Sequence, residues 1–391
     1  MTGADSMARP TVQRTKAPPT DEQPTSSDST DGDADQLAYL RSLASALPLD
    51  QCDMAFAYGS GVIPQKHHDP KAKMVDLLLV VPCAARFHEA NLRANWRHYS
   101  LLRWCGATRL ANYQNRWAAG VYFNTMVTVP VQLGAGGTHN RMVKYGVVET
   151  RHAIDDLLDW QHLYVAGRLH KPVSTIVRVQ RADVCSERAA CTSTAIFDNR
   201  NIALAEALQT NLCSAVHCAL LLLPHTFTRQ QFYTAVCQIS YSGDFRTVIG
   251  EDKSKVQNIV EGAMDRFERL YMPLVDEMQQ QVYYANGEHM ARDCSPAATF
   301  HHLNLLPRQL LWNMHTEWRH GRNGRNTDLE EMIYELAHNQ RRTPQLLQHG
   351  LNKIVRRSSV TQTLKNVPTA GLYKSFMYAA TKLRKMIVSM R

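Results

Sequence analysis

Met54-Ala-Phe-Ala-Tyr-Gly-Ser-Gly61 and Met74-Val-Asp-Leu-Leu-Leu-Val-Val81 are the two stretches that decide the fold of the first part of the chain. The apolar run of each stretch predicts a buried strand, and the first strand ends in a turn of small residues. Such residues let backbone N–H groups approach phosphate oxygens closely. Asp76 lies inside the second strand, where a carboxylate needs a cation or several hydrogen-bond donors. This spacing predicts that Asp76 binds a divalent metal ion beside a phosphate-binding turn formed by Gly59, Ser60 and Gly61.

The same two stretches resemble the hG[GS]…Dh pattern of the DNA polymerase β-like nucleotidyltransferases. In that superfamily a second acid usually lies two residues after the first, whereas this chain has Leu78. The alternative is a plain strand-to-loop turn, with Asp76 paired to Lys71 or Lys73.

Composition and periodicity divide the rest of the chain into segments. Residues 1–36 are polar and rich in Ser, Thr, Pro and Gly, which predicts disorder. Residues 37–175 mix helix and strand patterns, so we expect an α/β (α+β) domain. Residues 176–350 form a second, mainly helical domain, and residues 351–391 form a basic amphipathic segment. The predicted elements within the two domains are a helix over 37–47, a β-rich run over 120–131, and helices over 153–169, 204–223 and 256–270.

The missing second acid is expected from the second half of the chain. The turn Tyr241-Ser-Gly-Asp-Phe-Arg246 contains Asp244, which lies too far from the next predicted helix to be explained by its N-terminus and is a candidate second metal ligand. Arg246 and Lys253 are candidate phosphate-binding cations. Glu251 and Asp252 are adequately explained as acids that favour a helix N-terminus.

Arg168 and Lys171 follow the helix predicted over 153–169. Cations are favoured at a helix C-terminus, so capping and phosphate binding explain them equally well.

The excess of positive charge is confined to the end of the chain. The formal net charge is +9, and residues 351–391 carry nine basic side chains and no acid. Apolar residues recur there at helical spacing, which favours an amphipathic helix on an anionic lipid surface. A helix docked on the protein core remains the alternative. Nucleic acid is not expected as a partner, because regularly spaced aromatic residues for base stacking are missing from this segment.

Nine cysteines without a Cys-x-x-Cys pair indicate a reducing compartment, and neither a disulfide framework nor a zinc site. No apolar run reaches the roughly 18 to 20 residues that a membrane span needs.

Several longer strings together resemble one family, the mitochondrial CDP-diacylglycerol synthases of the translocator assembly and maintenance family, which are phosphatidate cytidylyltransferases. The strings are YGSGV (58–62), KYGVV (144–148), LYVAGRLHKPV (163–173), SYSGDFR (240–246), GEDKSKVQNIV (250–260) and TAGLYKS (369–375).

The resemblance implies a polymerase β-like nucleotidyltransferase domain, a mainly helical, winged-helix-like second domain and a C-terminal amphipathic helix. It implies Mg²⁺ as cofactor, CTP and phosphatidic acid as substrates, and a peripheral position on the matrix side of the mitochondrial inner membrane. The alternatives are a nucleotidyltransferase acting on RNA or a small molecule, and a non-catalytic mitochondrial membrane assembly factor.

Overall fold

The structure is a computed structural model that describes residues 31–63, 74–133, 137–178, 194–245, 254–286, 289–320 and 328–370. The strands are β1 (Met54–Tyr58), β2 (Val75–Val81), β3 (Val121–Leu133), β4 (Gly137–Glu149), β5 (Ser174–Val177), β6 (Thr226–Thr228), β7 (Val282–Asn286) and β8 (His289–Arg292). The first α-helices are α1 (Asp31–Ala44), α2 (Ala84–Ala94), α3 (Ala107–Arg116), α4 (Thr150–Asp159), α5 (Ala166–Leu169), α6 (Thr194–Leu222) and α7 (Arg229–Ile239). The later ones are α8 (Lys255–Glu261), α9 (Met264–Asp276), α10 (Pro296–Asn304), α11 (Arg308–His320), α12 (Leu329–Ala337) and α13 (Arg342–Ala370).

A mixed five-stranded sheet in the order β3-β4-β2-β1-β5 forms the centre of the first half, which confirms a mixed α/β fold. Strand β2 pairs antiparallel with β1 and parallel with β4. Its apolar residues are buried because β2 lies in the middle of the sheet, and a strand enclosed on both sides reads as a continuous apolar run. The strands predicted from the two opening stretches and the β-rich run over 120–131 are confirmed.

The second half consists mainly of helices with a small antiparallel sheet in the order β6-β8-β7. Strand β6 lies between α6 and α7, and β7 and β8 form a hairpin after α9. One contiguous apolar core includes residues of both predicted domains, so the two halves pack against each other over a shared interior. Trp160 of the first half donates a hydrogen bond to Asn211 of the second at 2.9 Å.

Three predicted elements differ from the structure. Residues 31–36 belong to helix α1 and not to the predicted disordered segment, because the buried side chains of Leu40 and Leu43 anchor this helix in the core. The helix predicted over 256–270 is two helices separated at Gly262 and Ala263. The helix predicted over 153–169 ends at Asp159, for a reason given with the site.

Helix α13 crosses the predicted boundary between residues 350 and 351. Its residues Leu351, Ile354 and Val355 are buried in the core, so this part is not a separate surface segment. Gln362 continues the packing onto the first half by donating to the backbone oxygen of Val121 at 3.1 Å. Residues 371–391, which carry the predicted amphipathic pattern, lie outside the described residues, so the surface helix and its docked alternative both stay predictions. None of the helices in the described ranges combines the length and apolarity needed to span a membrane.

Four histidines are buried in this fold. Burial lowers the pKa of His88 and His302 to about 4, and that of His170 and His217 to about 3. His88 is held between the Tyr99 hydroxyl and the Gln114 amide oxygen, each at 2.9 Å. These side chains therefore stay neutral in the folded protein at pH values where the unfolded chain protonates them.

We expect the free energy of unfolding to fall as the pH drops from about 6.5 towards 4. Each buried histidine can contribute a slope of up to about 1.4 kcal/mol per pH unit, because the unfolded state then binds the extra proton. Urea unfolding between pH 7.5 and 5 measures this slope. It should be smaller in His88→Gln and unchanged in a control, His338→Gln, whose side chain is exposed. A flat profile for the unaltered protein would contradict the expectation.

Candidate active site

A cavity of about 380 Å³ lies where the two halves of the chain meet. Its wall combines the end of β1, the start of β2, the segment before and within α5, the loop after α7, and the middle of α13. The polar residues that line it are Tyr58, Ser60, Asp76, Lys144, His162, Tyr164, Arg168, Lys171, Ser240, Tyr241, Asp244, Lys255, Ser358 and Ser359. Four of these are Lys or Arg and two are Asp, so the cavity suits an anionic ligand held together with a cation.

The register of three neighbouring strands places Tyr58, Asp76 and Lys144 side by side. Tyr58 is opposite Asp76 across the β1–β2 pair, and Asp76 is opposite Lys144 across the β2–β4 pair. The Lys144 Nζ lies 3.5 Å from an Asp76 carboxylate oxygen. The predicted partners Lys71 and Lys73 lie outside the described residues, and the sequence analysis missed Lys144 because its closeness arises from strand pairing.

The small residues after β1 have two different tasks. Gly59 and Ser60 line the cavity. Gly59 has φ +80°, and a Cβ there would lie 3.6 Å from an Asp76 oxygen, so the turn passes directly beside the carboxylate. Gly61 is not part of the cavity wall. A Cβ at Gly61 would lie 2.4 Å from the backbone oxygen of Met74, so this glycine is required for the close approach of the chain to the start of β2.

Asp244 lies in the same cavity as Asp76, although the two residues come from different halves of the chain. The Asp244 side chain is only 2% exposed. Gly243, with φ +75°, brings this loop against α13, because a Cβ there would lie 2.7 Å from the Cα of Asn352. Leu78 is fully buried. Its side chain lies close to Gly146, because a Cβ on Gly146 would be 2.8 Å from a Leu78 Cδ atom. A second acid at position 78 would therefore be enclosed in the core.

Arg168 and Lys171 both face the cavity. The Arg168 guanidinium carbon lies 3.8 Å from the centre of the Tyr164 ring and 5.2 Å from that of Tyr58, so the two rings hold it in place. Lys171 donates to the backbone oxygen of Gly167 and to the Ser240 hydroxyl, the latter at 2.7 Å. Lys171 and Lys255 lie about equally far from the Tyr241 ring, at 5.1 and 5.0 Å.

The positions of Tyr164 and Arg168 depend on one buried carboxylate that the sequence analysis did not single out. Asp156 is buried in α4 and accepts hydrogen bonds from five successive backbone N–H groups, at 2.7 to 3.2 Å, belonging to residues 162–166. The chain turns at Trp160, which has φ 52°, and folds back over this carboxylate. This is why the helix predicted over 153–169 is interrupted.

The remaining predicted site residues, Arg246 and Lys253, lie outside the described residues, and so do Glu251 and Asp252. Within the described ranges, no group of three or more His, Cys, Asp or Glu side chains is arranged to hold a metal ion. Among the residues that the structure describes, the acidic side chains that line this cavity are Asp76 and Asp244.

Comparison with known proteins agrees with the predicted resemblance. The model of a family described as mitochondrial phosphatidate cytidylyltransferase matches residues 40–385. Relatives with that name include those of Caenorhabditis briggsae, 37% identical over 89% of this chain and 98% of the relative, and Bos taurus, 38% identical over 89% and 94%. The relative from Drosophila melanogaster is 38% identical over 89% of this chain and 98% of its own length. The chain therefore belongs to the mitochondrial phosphatidate cytidylyltransferase family.

Proposed function

We propose that this protein is a mitochondrial phosphatidate cytidylyltransferase that converts CTP and phosphatidate into CDP-diacylglycerol and pyrophosphate. The observation that carries the proposal is the single cavity in which a glycine-serine turn, two carboxylates and four basic side chains meet in a member of this family. A phosphate oxygen of phosphatidate attacks the α-phosphorus of CTP, and the bond from that phosphorus to the oxygen bridging to the β-phosphate breaks. Pyrophosphate leaves with the electron pair of that bond.

The residues of the cavity suit the two demands of this reaction, which are alignment of two phosphate groups and neutralisation of charge on the leaving pyrophosphate. We assign the turn at Gly59 and Ser60 to the triphosphate. Arg168 and Lys171 would bind phosphate oxygens, because their side chains face the cavity and are fixed by rings or hydrogen bonds. Lys144 keeps the Asp76 carboxylate oriented towards the cavity.

Mg²⁺ fits this arrangement, because it commonly binds one or two protein carboxylates together with substrate phosphates. Asp76 and Asp244 would hold the ion, and no third protein ligand is required if CTP oxygens complete the coordination shell. The bound ion would supply charge stabilisation at the reacting phosphate.

The order of elements supports the finer architecture implied by the family. In the second half, helix α6, strand β6, helices α7 to α9 and the hairpin β7–β8 follow one another in the order of a winged-helix domain. In the first half, the glycine-serine turn follows β1 and the carboxylate lies on the antiparallel neighbour β2, as expected of a polymerase β-like nucleotidyltransferase. We also propose a peripheral location on the matrix side of the inner membrane, with residues 371–391 as a lipid-binding segment.

Product analysis tests the reaction. The purified chain is incubated with CTP labelled at the α-phosphate, Mg²⁺ and either phosphatidate or RNA. We expect label in CDP-diacylglycerol only, and release of pyrophosphate in equal amount. Label in RNA would support the alternative of an RNA nucleotidyltransferase, and no transfer to either acceptor would favour a non-catalytic assembly factor. Omitting Mg²⁺ should abolish transfer.

The pKa of Lys171 gives the reaction an expected pH dependence. Burial, together with the smaller effect of the nearby charges of Arg168 and Lys255, lowers this pKa to about 8. The ammonium group is charged below this value and loses its charge as the pH rises through it. We therefore expect KM for CTP to rise between pH 7 and 9. The rise should be smaller in Lys171→Arg, which stays charged, and unchanged in a control, Lys353→Met, at an exposed lysine of α13. Equal profiles for Lys171→Arg and the unaltered enzyme would contradict this role.

A further inference from the structure

Large apolar side chains are exposed within residues 96–117 and near the end of α13, outside the cavity wall. Leu101 is 78% exposed, Trp104 71%, Leu364 66% and Trp117 62%, and Trp96 is partly exposed beside Trp104. We call these five residues the tryptophan surface. Soluble proteins seldom expose several tryptophans and leucines in one region unless the region contacts a partner.

The last turns of α13 form hydrogen bonds with the segments that carry the tryptophan surface. The Ser100 hydroxyl donates to the backbone oxygen of Pro368 at 2.8 Å, next to the short helix that carries Leu101 and Trp104. Lys365 is 2% exposed and donates to the backbone oxygen of Trp117 at 2.6 Å. The rings of Trp96 and Trp104 lie edge to face at 4.9 Å, with the Arg103 guanidinium 5.4 Å and 5.8 Å from their respective centres. The rings of Trp96 and Trp104 therefore pack against each other and against Arg103 while part of each ring stays exposed.

The charge around these rings favours an anionic partner. Residues 90–118 contain five arginines and no acidic residue, and one of the five, Arg93, pairs with Glu89 just before this stretch. Residues 371–391, which begin where α13 ends beside the tryptophan surface, are also basic and contain no acid. Like charges disfavour covering the surface with this segment, whereas one negatively charged plane would attract both.

We propose that the tryptophan surface is a membrane-contact site that inserts into the interface of an anionic bilayer, separately from the C-terminal segment. Tryptophan rings favour the level of the lipid headgroups, and surface cations are attracted to anionic lipid. This proposal rests on the proposed function in one respect, which is that the substrate phosphatidate is a lipid of the bilayer. Ser359 lines the cavity and Leu364 belongs to the tryptophan surface, five residues further along the same helix, or about 8 Å. Contact here would hold the cavity close to the layer that contains the lipid substrate.

The test is flotation of the full chain with vesicles of phosphatidylcholine and phosphatidylglycerol, comparing the unaltered protein with a Leu101→Ser, Trp104→Ser double variant. We expect vesicle affinity to fall at least about tenfold, because the apolar area that would enter the bilayer is lost. Trp312→Ser is the matched control, because Trp312 is 62% exposed but belongs to α11 in the other half of the chain, and its flotation should be unchanged. The same double variant should bind CTP and use detergent-dispersed phosphatidate normally.

Unchanged flotation of the double variant would overturn the proposal. So would an equal loss of binding in Trp312→Ser, because the effect would then not be specific to this surface. Normal flotation combined with weaker binding to an RNA probe would instead identify nucleic acid as the partner. Failure of the proposed function is a separate outcome, since it would remove turnover of dispersed phosphatidate in the unaltered protein and leave flotation intact.

Discussion

Replacing Asp76 with asparagine should lower cytidylyl transfer by on the order of a thousandfold or more, with the fold unchanged. Asparagine has nearly the same shape, so only the negative charge is removed from the cavity. The Asp76 side chain is 26% exposed at the cavity wall, and its ion partner Lys144 is 19% exposed, so no fully buried charge is left unpaired. Turnover of CTP with phosphatidate at saturating Mg²⁺ is the measurement, and circular dichroism checks the fold.

The controls separate charge at the cavity from charge elsewhere. Asp244→Asn should produce a similar loss if both acids hold the same ion. Asp50→Asn removes one exposed carboxylate from the short helix Leu49–Gln51 and should leave turnover unchanged. Normal turnover in Asp76→Asn would refute its assignment as a metal ligand. A normal rate in Asp244→Asn alone would reduce that residue to a structural acid of the loop.

The second large effect is expected on stability, at Asp156. Asp156→Ala leaves the five backbone N–H groups of residues 162–166 without their common acceptor in a buried setting. Loss of hydrogen bonds to a charged group, with donors left unsatisfied, should lower the free energy of unfolding by at least about 3 kcal/mol. Activity should fall as well at temperatures where the protein remains folded, because the loop positions Tyr164 and leads into Arg168.

Asp155→Asn is the matched control for this prediction. Asp155 is the neighbouring residue of the same helix, and its side chain is exposed. Urea unfolding of both variants gives the comparison, and Asp155→Asn should change the free energy of unfolding by less than about 0.5 kcal/mol. A loss in Asp156→Ala no larger than that of the control would show that the turn at Trp160 forms without this carboxylate.

The sequence predicts those parts of the site that are determined by the order of residues within a short stretch of chain. The apolar runs around Tyr58 and Asp76 are continuous enough to identify two buried strands, and the small residues between them identify the turn. Asp244 was assigned from a local turn and from the need for a second acid, and it lines the same cavity as Asp76. These inferences required only the order of residues along short stretches.

The parts that the sequence did not predict depend on contacts between distant residues. Lys144 lies beside Asp76 because β2 pairs in parallel with β4. The sequence around Asp156 has a helical pattern, which gives no sign that this carboxylate accepts hydrogen bonds from the following loop. Lys365 was counted with the surface cations of the tail, yet it is buried in contact with the end of α3, where it donates to the Gln114 backbone oxygen at 2.6 Å. Burial lowers its pKa to about 7. Periodicity alone gives no sign that a lysine is used in this way.

The contribution of α13 to the cavity has a consequence for how the enzyme acquires its activity. Val355, Ser358 and Ser359 complete a wall that begins at Tyr58, so about three quarters of the chain lies between the two sides. Contacts of such large sequence separation form slowly, since a long loop must close before they are made. A polypeptide emerging from a ribosome or crossing a membrane pore N-terminus first therefore has no working catalytic centre until its final long helix has docked. Shortened products that end before this helix should be inert, which restricts catalysis to completed molecules.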